Sequence, residues 1–421
     1  MNRRIFLKNT LFASIVLTTL PGYAAFLSDE RVPVRITEGP DGHWFGYYDK
    51  LQIDPTGRYA LGARLLMEGR SPDENDSITI GIIDLNNNSW RELGTSKAWS
   101  WQQGCMLQWI PGSAGEVIWN DREGDHFISR IVNVKTGVRR TLPKAIYALS
   151  PDGKWAIGTE FSRIQNLRPG YGYAGIPDPF EAVKAPKEIG LYKIDLQTGN
   201  QKFLFSLAEL AAIPHQGVSV ADNFHWFNHL LFNTDGTRFT FLHRWRAERT
   251  DRQKMATGGF ITRMFTASSE GDDLYVIDPS GYTSHFVWRD PFHICAWTQP
   301  AGQEAGFYLL EDKTGKYTPV GKSVMVRNGH NTYVPHTNSE WILNDTYPNG
   351  NERFQELYLF HVPSQRKVVL GRFFEPVRYK GEWRCDLHPR CNQQGTKVFF
   401  DSTHEEKGRQ MYCIDIANIV R

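Results

Sequence analysis

A hairpin pattern that recurs seven times is the feature that most constrains the fold of this chain. In each copy a hydrophobic strand runs into a turn like Pro-Asp-Gly and a second strand follows, as in YYDKLQIDPTGRYALGARL at residues 47–65. Gly, Asn and Asp at these turns supply the positive φ angles of tight hairpins between alternating strands. The other copies are CMLQWIPGSAGEVIWND, IYALSPDGKWAIGTEF, LLFNTDGTRFTFLHRW, ICAWTQPAGQEAGFYLL, TYVPHTNSEWILNDTY and LHPRCNQQGTKVFFDST.

Most copies are followed by a second hairpin, such as GLYKIDLQTGNQKFL, although the two hairpins blur in the fifth copy. Two hairpins make four strands, and seven four-stranded repeats predict an all-β fold, a seven-bladed β-propeller. The last copy ends at Arg421 after three strands. We expect RVPVRITEG, residues 31–39, to supply its fourth strand and so close the ring. Seven unrelated hairpins in a β-sandwich are the alternative.

The N-terminal segment has the pattern of an export signal. Arg3, Arg4 and Lys8 precede an apolar stretch, and small residues follow at Ala24 and Ala25. The paired arginines resemble a twin-arginine signal, whose cargo is exported folded. We therefore expect a signal at residues 1–25, a propeller domain at residues 26–421, use of the twin-arginine export machinery and a periplasmic or secreted protein. A Sec signal or an uncleaved anchor is the alternative.

The charge balance, the lack of long apolar runs and the cysteine spacing argue against a nucleic-acid-binding, a membrane-spanning or a disulfide-rich protein. Removal of residues 1–25 leaves 45 basic and 46 acidic residues, a net charge of −1, so nothing predicts a nucleic-acid partner. No other apolar run reaches the roughly 20 residues of a membrane span, so no stable span is expected after signal cleavage. The five cysteines show no CxxC spacing, and most are expected to be free thiols.

Six of the thirteen histidines are predicted to lie at the starts of the innermost strands of five blades. These starts open onto one end of the central channel, where residues distant in sequence converge. A shared position in several blades favours a divalent metal site or an acid–base site, because imidazole serves both roles near neutral pH. The six are His43, His225, His229, His293, His330 and His388, and Tyr47, Tyr48 and Asp386 lie at equivalent positions.

Arginine and aromatic residues accompany these histidines in sequence. Guanidinium groups bind carboxylates with two hydrogen bonds, and flat aromatic side chains suit sugar rings. The combination predicts an acidic oligosaccharide as substrate. The arginines concerned are Arg163, Arg168, Arg244, Arg246, Arg378 and Arg384, and the aromatic residues include Tyr171 and Tyr173.

The repeats and three short segments resemble the oligogalacturonate lyase family, one of the TolB-like propellers. GHNTYVPHTNSEWILND is similar to the family's histidine-containing strand, DLHPRCNQQGTKVFFDS to its last blade, and FTFLHRW to the strand that carries a catalytic histidine. The likeness covers most of the chain as a repeat pattern. At motif level it is confined to these segments.

The resemblance implies that His330 and His388 bind a divalent metal, Mn²⁺ or Ca²⁺, and that His243 is the catalytic base, with His225 as second choice. Asp386 stands where the family has another histidine, and Trp383 stands where it has a glutamine ligand. Asp can bind either metal, whereas Trp cannot. His404, expected near the same face, is added to the predicted metal ligands.

The reaction implied is metal-assisted β-elimination on a uronate-containing oligosaccharide. Arg246 is expected to assist catalysis, and the predicted substrate-binding residues are His43, Tyr48, Arg163, Arg168, Tyr173, Arg244 and Arg384. One alternative is a glycoside hydrolase, which needs two carboxylates about 5–10 Å apart, with Asp49, Asp121, Asp345 and Asp401 as candidates. Another is a non-enzymatic binding propeller, since this fold hosts many interaction proteins.

Overall fold

The computed structural model describes residues 27–28 and 31–421 and contains seven small antiparallel sheets arranged as the blades of a ring. The seven-bladed propeller expected from the repeats is confirmed. The segment assigned to an export signal, residues 1–25, lies outside the described residues.

The strands follow the chain blade by blade. Two short strands come first: β1 (Leu27–Ser28) and β2 (Val34–Arg35). The first blade contains β3 (Gly42–Trp44), β4 (Tyr59–Leu65), β5 (Ile78–Asp84) and β6 (Ser89–Ser96). The second contains β7 (Gln108–Trp109), β8 (Glu116–Glu123), β9 (His126–Asn133) and β10 (Arg139–Leu142). The third contains β11 (Ala148–Leu149), β12 (Trp155–Gly158), β13 (Gly190–Asp195) and β14 (Gln201–Ser206).

The remaining blades continue in the same order. The fourth contains β15 (Phe224–Phe232), β16 (Arg238–Arg246), β17 (Ile261–Ser268) and β18 (Tyr275–Gly281). The fifth contains β19 (Phe286–Asp290), β20 (His293–Thr298), β21 (Gly306–Glu311) and β22 (Tyr317–Val320). The sixth contains β23 (Thr332–Tyr333), β24 (Trp341–Asp345), β25 (Phe354–His361) and β26 (Arg366–Phe374). The seventh contains β27 (Arg390–Cys391), β28 (Lys397–Ser402) and β29 (Gln410–Asp415).

The hairpin turns share one side-chain device. The Oδ1 atoms of Asp54, Asn233 and Asn392 accept a backbone N–H four or five residues later, at 2.9, 3.0 and 2.8 Å. A glycine with φ between +66° and +77° completes each turn. Asx side chains and glycines therefore set the hairpin register in the first, fourth and seventh blades.

The ring closes through the N-terminal strand, as predicted. Strand β2 pairs antiparallel with β29, with Val34 opposite Cys413. The Thr37 hydroxyl donates to Gln410 Oε1 at 2.6 Å. Strand β1 adds to the outer edge of the sixth blade, parallel to β26. The outermost strand of the seventh blade is thus supplied from the opposite end of the sequence.

The fifth blade corrects the sequence assignment by one strand. Its innermost strand is β19, which follows His285, whereas His293 begins the second strand, β20. His293 Nδ1 lies 2.8 Å from Asp290 Oδ1, in an ion pair at the turn between the two strands. The prediction that His293 begins an innermost strand is therefore wrong.

The described part of the chain contains four α-helices and one 3₁₀ turn, all between strands except α4, which follows β29. The helices are α1 (Phe161–Leu167), α2 (Leu207–Ala211), α3 (Arg252–Thr257) and α4 (Ala417–Val420). In the described part of the chain, no helix has the length and apolar character to cross a membrane. The segments with α1 and α3 meet the 3₁₀ turn Gly381–Trp383, where Arg252 Nη2 lies 2.9 Å from Glu382 Oε1.

The five cysteines are free thiols, and Cys105, Cys295 and Cys385 are buried. The expectation of mostly free cysteines is confirmed. Packing between blades therefore holds the ring together, for example where Trp44 lies 5.8 Å from Trp99 and 6.0 Å from Trp101, measured between ring centroids.

Candidate active site

A cavity of about 500 Å³ opens at the end of the channel where the long loops meet. Its walls come from the first blade, the loop with α1, the fourth and fifth blades, and the segments before β23 and β27. The lining residues include Tyr47, Arg168, Tyr171, Arg244, Phe260, His285, Asn328, Tyr347 and Arg384.

Three predicted metal ligands meet beside this cavity. His330, Asp386 and His388 are buried, and each offers a ligand atom within 4.8 Å of the others. His330 precedes the innermost strand of the sixth blade, and Asp386 and His388 precede that of the seventh. The shared position at strand starts therefore brings together residues more than fifty positions apart.

The orientation of His330 leaves one ring nitrogen free. Its backbone N–H donates to Asp345 Oδ1 at 2.7 Å, and Nδ1–H donates to Asp345 Oδ2 at 2.9 Å. A Cβ at Gly329 would lie 1.9 Å from the carbonyl oxygen of Asp345, so only glycine permits this approach. Because Nδ1 carries the proton, Nε2 keeps its lone pair. A carboxylate behind a histidine in this way is typical of metal ligands.

His388 is held in an unusual backbone conformation. Its φ is +44°, which is uncommon for a residue other than glycine and costs on the order of 1 kcal/mol. The Arg390 Nη1 atom donates to the His388 carbonyl oxygen at 2.6 Å. The imidazole lies 4.3 Å from that of His330 between centroids, and burial, followed by the charge of His330, lowers the His388 pKa well below its ordinary value. A neutral imidazole is the form that binds metals.

Asp386 completes the group and links it to the cavity wall. Its carboxylate accepts from Arg384 Nε at 2.9 Å, and His388 Nε2 lies 3.9 Å away. Arg384 Nη2 donates to the Tyr171 hydroxyl at 2.9 Å. Two imidazoles and one carboxylate form a donor set for a transition metal. Calcium prefers oxygen ligands alone, so this set does not favour Ca²⁺.

His285 faces the cavity next to this group. Its Nδ1 donates to Asn328 Oδ1 at 3.0 Å, and its Nε2 accepts from the Tyr347 hydroxyl at 3.2 Å. Its ring lies 4.2 Å from that of His330, and burial, followed by the His330 charge, lowers its pKa well below the ordinary value. The Tyr347 hydroxyl that occupies Nε2 lines the same cavity, so a substrate can take its place there, whereas the partners of His225 and His243 do not line the cavity. His285 is therefore a candidate base. His285 is not among the site residues predicted from the sequence, because the predicted fifth blade begins one strand too late.

Two buried arginines give the cavity its charge. Arg168 and Arg244 have no carboxylate partner among the residues that the structure describes. Both guanidinium groups lie 4.9 Å from the Phe260 ring centroid, and Arg244 Nε donates to Thr262 Oγ1 at 3.2 Å. Burial lowers the Arg168 pKa to about 10 and also lowers the Arg244 pKa. Both remain cationic at neutral pH, so the cavity is built for an anion.

Tyr47 and His229 lie beneath the histidines of the sixth and seventh blades. The Tyr47 hydroxyl is 3.3 Å from His229 Nδ1, and the Tyr47 ring lies 5.3 Å from the His388 ring. A bulge in β15 aims His229 into the channel with φ at +48°. His229 lies within β15, past its start, and supports the cavity floor through Tyr47.

His225 and His243, the predicted catalytic bases, are buried away from the cavity lining. His225 Nε2 donates to the Val220 carbonyl oxygen at 2.8 Å, and its Nδ1 lies 2.8 Å from His243 Nε2. Arg263 Nε donates to His243 Nδ1 at 3.2 Å, so His243 Nε2 carries a proton and donates to His225. Every ring nitrogen is occupied by the protein. Because neither histidine has a lone pair for substrate, the geometry does not support their assignment as bases.

Two predicted arginines hold loops in place. Arg163 pairs with Asp178 at 3.0 Å and donates to the His225 carbonyl oxygen at 3.0 Å. Arg246 donates to the carbonyl oxygens of Met255 and Gly258 at 3.3 and 3.2 Å. Neither arginine lines the cavity, so the structure does not support the predicted substrate-binding role of Arg163 or the predicted catalytic role of Arg246. Both instead anchor the segments that surround the cavity.

Three further predicted binding residues are also placed outside the cavity lining. His43 Nδ1 lies 3.0 Å from the Asp41 carbonyl oxygen. The Tyr48 hydroxyl exchanges hydrogen bonds with the backbone of Phe286 at 3.0 and 3.1 Å. Tyr173 stacks on Phe161 in the core, at 4.1 Å between centroids. These three support the fold, and only Arg168, Arg244 and Arg384 of the predicted binding set line the cavity.

His404 does not join the predicted metal ligands. Its Nδ1 lies 2.8 Å from Ser402 Oγ, and its ring packs 4.5 Å from that of Tyr412 and 5.0 Å from that of Phe373. Strand β28 carries it away from the channel, so the expectation that it shares the metal site is corrected.

The four carboxylates considered for a glycoside hydrolase are all engaged elsewhere. Asp345 holds His330, Asp401 pairs with Arg390 at 3.0 Å, and Asp121 pairs with Arg130 at 3.2 Å. Asp49 pairs with Lys50 at 2.9 Å. None of the four lines the cavity. Among the described residues, the lining of this cavity therefore offers no carboxylate pair of the kind that glycosidases use.

Comparison with known proteins finds similarity in structure alone. No protein-family model matches the chain, and no curated protein matches its sequence. An oligogalacturonate lyase from Vibrio parahaemolyticus superposes with a TM-score of 0.62 over 92% of this chain and 94% of that one, at 14% identity. An oligogalacturonate lyase in complex with manganese gives a TM-score of 0.62 over 90% and 92%, at 12% identity.

The fold is that of the oligogalacturonate lyases. The fold-level resemblance expected from the sequence is confirmed. The propeller domain of the Trilobed protease from Pyrococcus furiosus also matches, with a TM-score of 0.50 over 88% of this chain and 96% of that one, at 11% identity. One architecture thus serves more than one type of protein, and the side chains at the cavity must decide the reaction.

Proposed function

We propose that this protein is a metal-dependent lyase that cleaves uronate-containing oligosaccharides by β-elimination. The observation that carries the proposal is the position of Arg168 and Arg244, which lack a carboxylate partner among the described residues, at the same cavity as His285 and beside the metal-ligating group. Buried cations without a counter-ion require an anionic ligand. A uronate carboxylate meets that requirement.

His330, Asp386 and His388 would hold the metal, and manganese suits their two imidazoles and one carboxylate better than calcium. When bound, a divalent cation supplies positive charge that stabilises negative charge on the substrate carboxylate. Arg244 and Arg168 orient the same carboxylate from the cavity wall. Together these charges acidify the carbon-bound proton next to the carboxylate.

His285 Nε2 accepts that proton, since it is the neutral imidazole nitrogen facing the cavity. The electron pair of the broken C–H bond forms the new C=C bond, and the glycosidic C–O bond breaks. The leaving oxygen takes a proton from the Tyr347 hydroxyl or from water. Asn328 fixes the His285 tautomer by accepting from Nδ1. The products are one saturated and one unsaturated sugar.

Export supports this role and is part of the proposal. We infer that the protein enters the periplasm, or is secreted, through the twin-arginine machinery with residues 1–25 as its signal. An acidic oligosaccharide is then the partner that it meets there. A shift of the mature protein to the cytoplasm on replacement of Arg3 and Arg4 by lysine would test this step.

The test of function combines metal analysis with detection of the product. The purified protein is analysed for bound metal and incubated with oligogalacturonates and other uronate oligosaccharides. We expect stoichiometric metal and the ultraviolet absorbance of an unsaturated uronate. Reducing ends without that absorbance would identify a hydrolase, and binding without products would identify a binding protein. Either result would reject the lyase.

A further inference from the structure

We propose that a second groove, between the fourth and fifth blades, binds neutral sugar residues of the chain whose uronate lies in the central cavity. This inference rests on the proposed function. It makes the substrate a mixed oligosaccharide, acidic at the cleaved end and neutral beyond it.

The groove borders the cavity at Tyr282. It has a volume of about 610 Å³ and follows β18, whose seven residues span about 20 Å. Tyr282 lines both spaces, Gly281 lines the cavity, and Ser280 lines the groove. An oligosaccharide that leaves the cavity past Tyr282 therefore reaches the groove.

The groove presents aromatic rings and amide groups. Tyr282 and Tyr317 have 65% and 40% of their surface exposed, which is unusual for large rings in a cleft. Gln299 and Gln303 line the groove at the turn between β20 and β21. Flat rings pack against the apolar faces of sugars, and amides bond with their hydroxyl groups.

The charge of the groove differs from that of the cavity. Asp278 is buried, and its carboxylate accepts from the Thr283 and Thr298 hydroxyls and from the Ser280 N–H. Lys316 extends into solvent, 3.7 Å from Glu311 Oε2. The groove therefore offers no free cation cluster like Arg168 and Arg244, and a neutral sugar suits it better than a second uronate.

The edge strand of the groove is poorly suited to a peptide. Pro279 has no N–H to donate, and its carbonyl oxygen already accepts from Gln216 Nε2 at 3.1 Å. A register shift opposite Met264 and Phe265 further breaks the β18 ladder. Addition of an extended peptide strand needs a continuous row of free backbone groups, so carbohydrate is the better occupant.

The experiment measures binding without turnover. In a His388→Ala background, short galacto-, xylo- and gluco-oligosaccharides are titrated by calorimetry. Tyr317→Ala removes a ring of the groove that does not reach the cavity. Phe292→Ala is the matched control, because Phe292 is 66% exposed and lines neither space. We expect at least one neutral oligosaccharide to bind, about tenfold more weakly in Tyr317→Ala and unchanged in Phe292→Ala.

A second measurement links the groove to the reaction. In the active protein, Tyr317→Ala should lower kcat/KM for a mixed oligosaccharide by about tenfold and leave that for a short pure uronate unchanged. Absence of neutral-sugar binding, or binding of an extended peptide instead, would overturn the groove assignment. Neutral-sugar binding in a protein without lyase activity would support the groove and reject the proposed reaction, so the two failures are distinguishable.

Discussion

Two groups of buried histidines in this propeller differ in what remains free on their rings. His330 donates a hydrogen bond from Nδ1–H to Asp345 and keeps Nε2 unbonded beside Asp386 and His388. His225 and His243 bond to each other, and their outer nitrogens bond to Val220 and Arg263. His330 and His388 precede the innermost strands of their blades, His225 lies near the start of one, and His243 lies on the adjacent strand β16. The position of a histidine in its blade determines which histidines lie close together. Only a histidine with an unbonded ring nitrogen can then bind a metal or accept a proton.

The largest effect is expected when one member of the group His330, Asp386 and His388 is removed. His388→Ala should abolish bound metal and lower turnover by about 10³-fold or more, because the donor set loses an imidazole and the substrate charge loses its main stabilisation. Elemental analysis and product absorbance provide the readouts. His404→Ala is the matched control, with metal and turnover close to those of the wild type. Equal loss in both variants would mean that folding, rather than metal binding, is affected.

The next test opposes the two candidate bases. His285→Ala should lower kcat by at least about 10²-fold with little change in stability, because it removes a proton acceptor at the cavity. His243→Leu should instead lower the free energy of unfolding by about 2–3 kcal/mol, because Arg263 and His225 lose buried partners. Kinetics and urea unfolding measure both. A stable, inactive His243→Leu with an active His285→Ala would restore His243 as the base.

Arg244 tests the charge beside the first group. Arg244→Met keeps the length of the side chain and removes its charge, and it should raise KM for a uronate substrate by roughly tenfold to a hundredfold. Arg246→Met serves as the comparison, since that residue anchors a loop and does not line the cavity. A larger KM effect at Arg246 would place the substrate elsewhere.

A final test uses the pH dependence of the free energy of unfolding that His225 and His243 produce. Burial lowers the His225 pKa to about 4, and burial together with the His225 charge lowers that of His243 well below its ordinary value. Unfolded histidines titrate near 6.5, so the unfolded chain binds more protons. The free energy of unfolding should therefore fall as pH drops from about 6.5 toward 4, by about 1.4 kcal/mol per unit for each histidine.

Urea unfolding across this pH range measures the slope. His225→Gln should give a shallower slope, because one titrating group is removed from the unfolded chain. His126→Gln is the control, since His126 is exposed. A slope that His225→Gln leaves unchanged would show that the pair does not set the acid sensitivity.

The sequence predicted the fold well because its signals are local. The turn residues Asp54, Asn233 and Asn392 belong to patterns of a few adjacent positions that predict hairpins. The number of times the pattern repeats predicts the number of blades. The spare strand before the first blade then accounts for the strand that the seventh lacks. Each inference needs only hairpin chemistry and counting.

Only part of the candidate site was predicted from the sequence, because some of its features depend on contacts that form only in the folded chain. His330, Asp386 and His388 follow from the shared strand start. His285 was missed because one hairpin of a blade resembles the next, and the turn after Trp297 was assigned to the first hairpin of its blade. His243 was misassigned because a strand pattern does not reveal which bonds its nitrogens already make. Those bonds come from Val220 and Arg263, which only the folded chain brings near.

Closure of the ring by β2 has a consequence for biosynthesis. Val34 is among the first described residues to be made and Cys413 among the last, so their pairing raises the contact order of the seventh blade above that of its neighbours. The other six blades can form while the chain grows, whereas the seventh waits for Asp415. Until then β2 has no partner, and its edge can pair with another molecule. The N-terminal strand therefore closes the ring last. Aggregation competes with folding during the interval between synthesis of β2 and synthesis of β29.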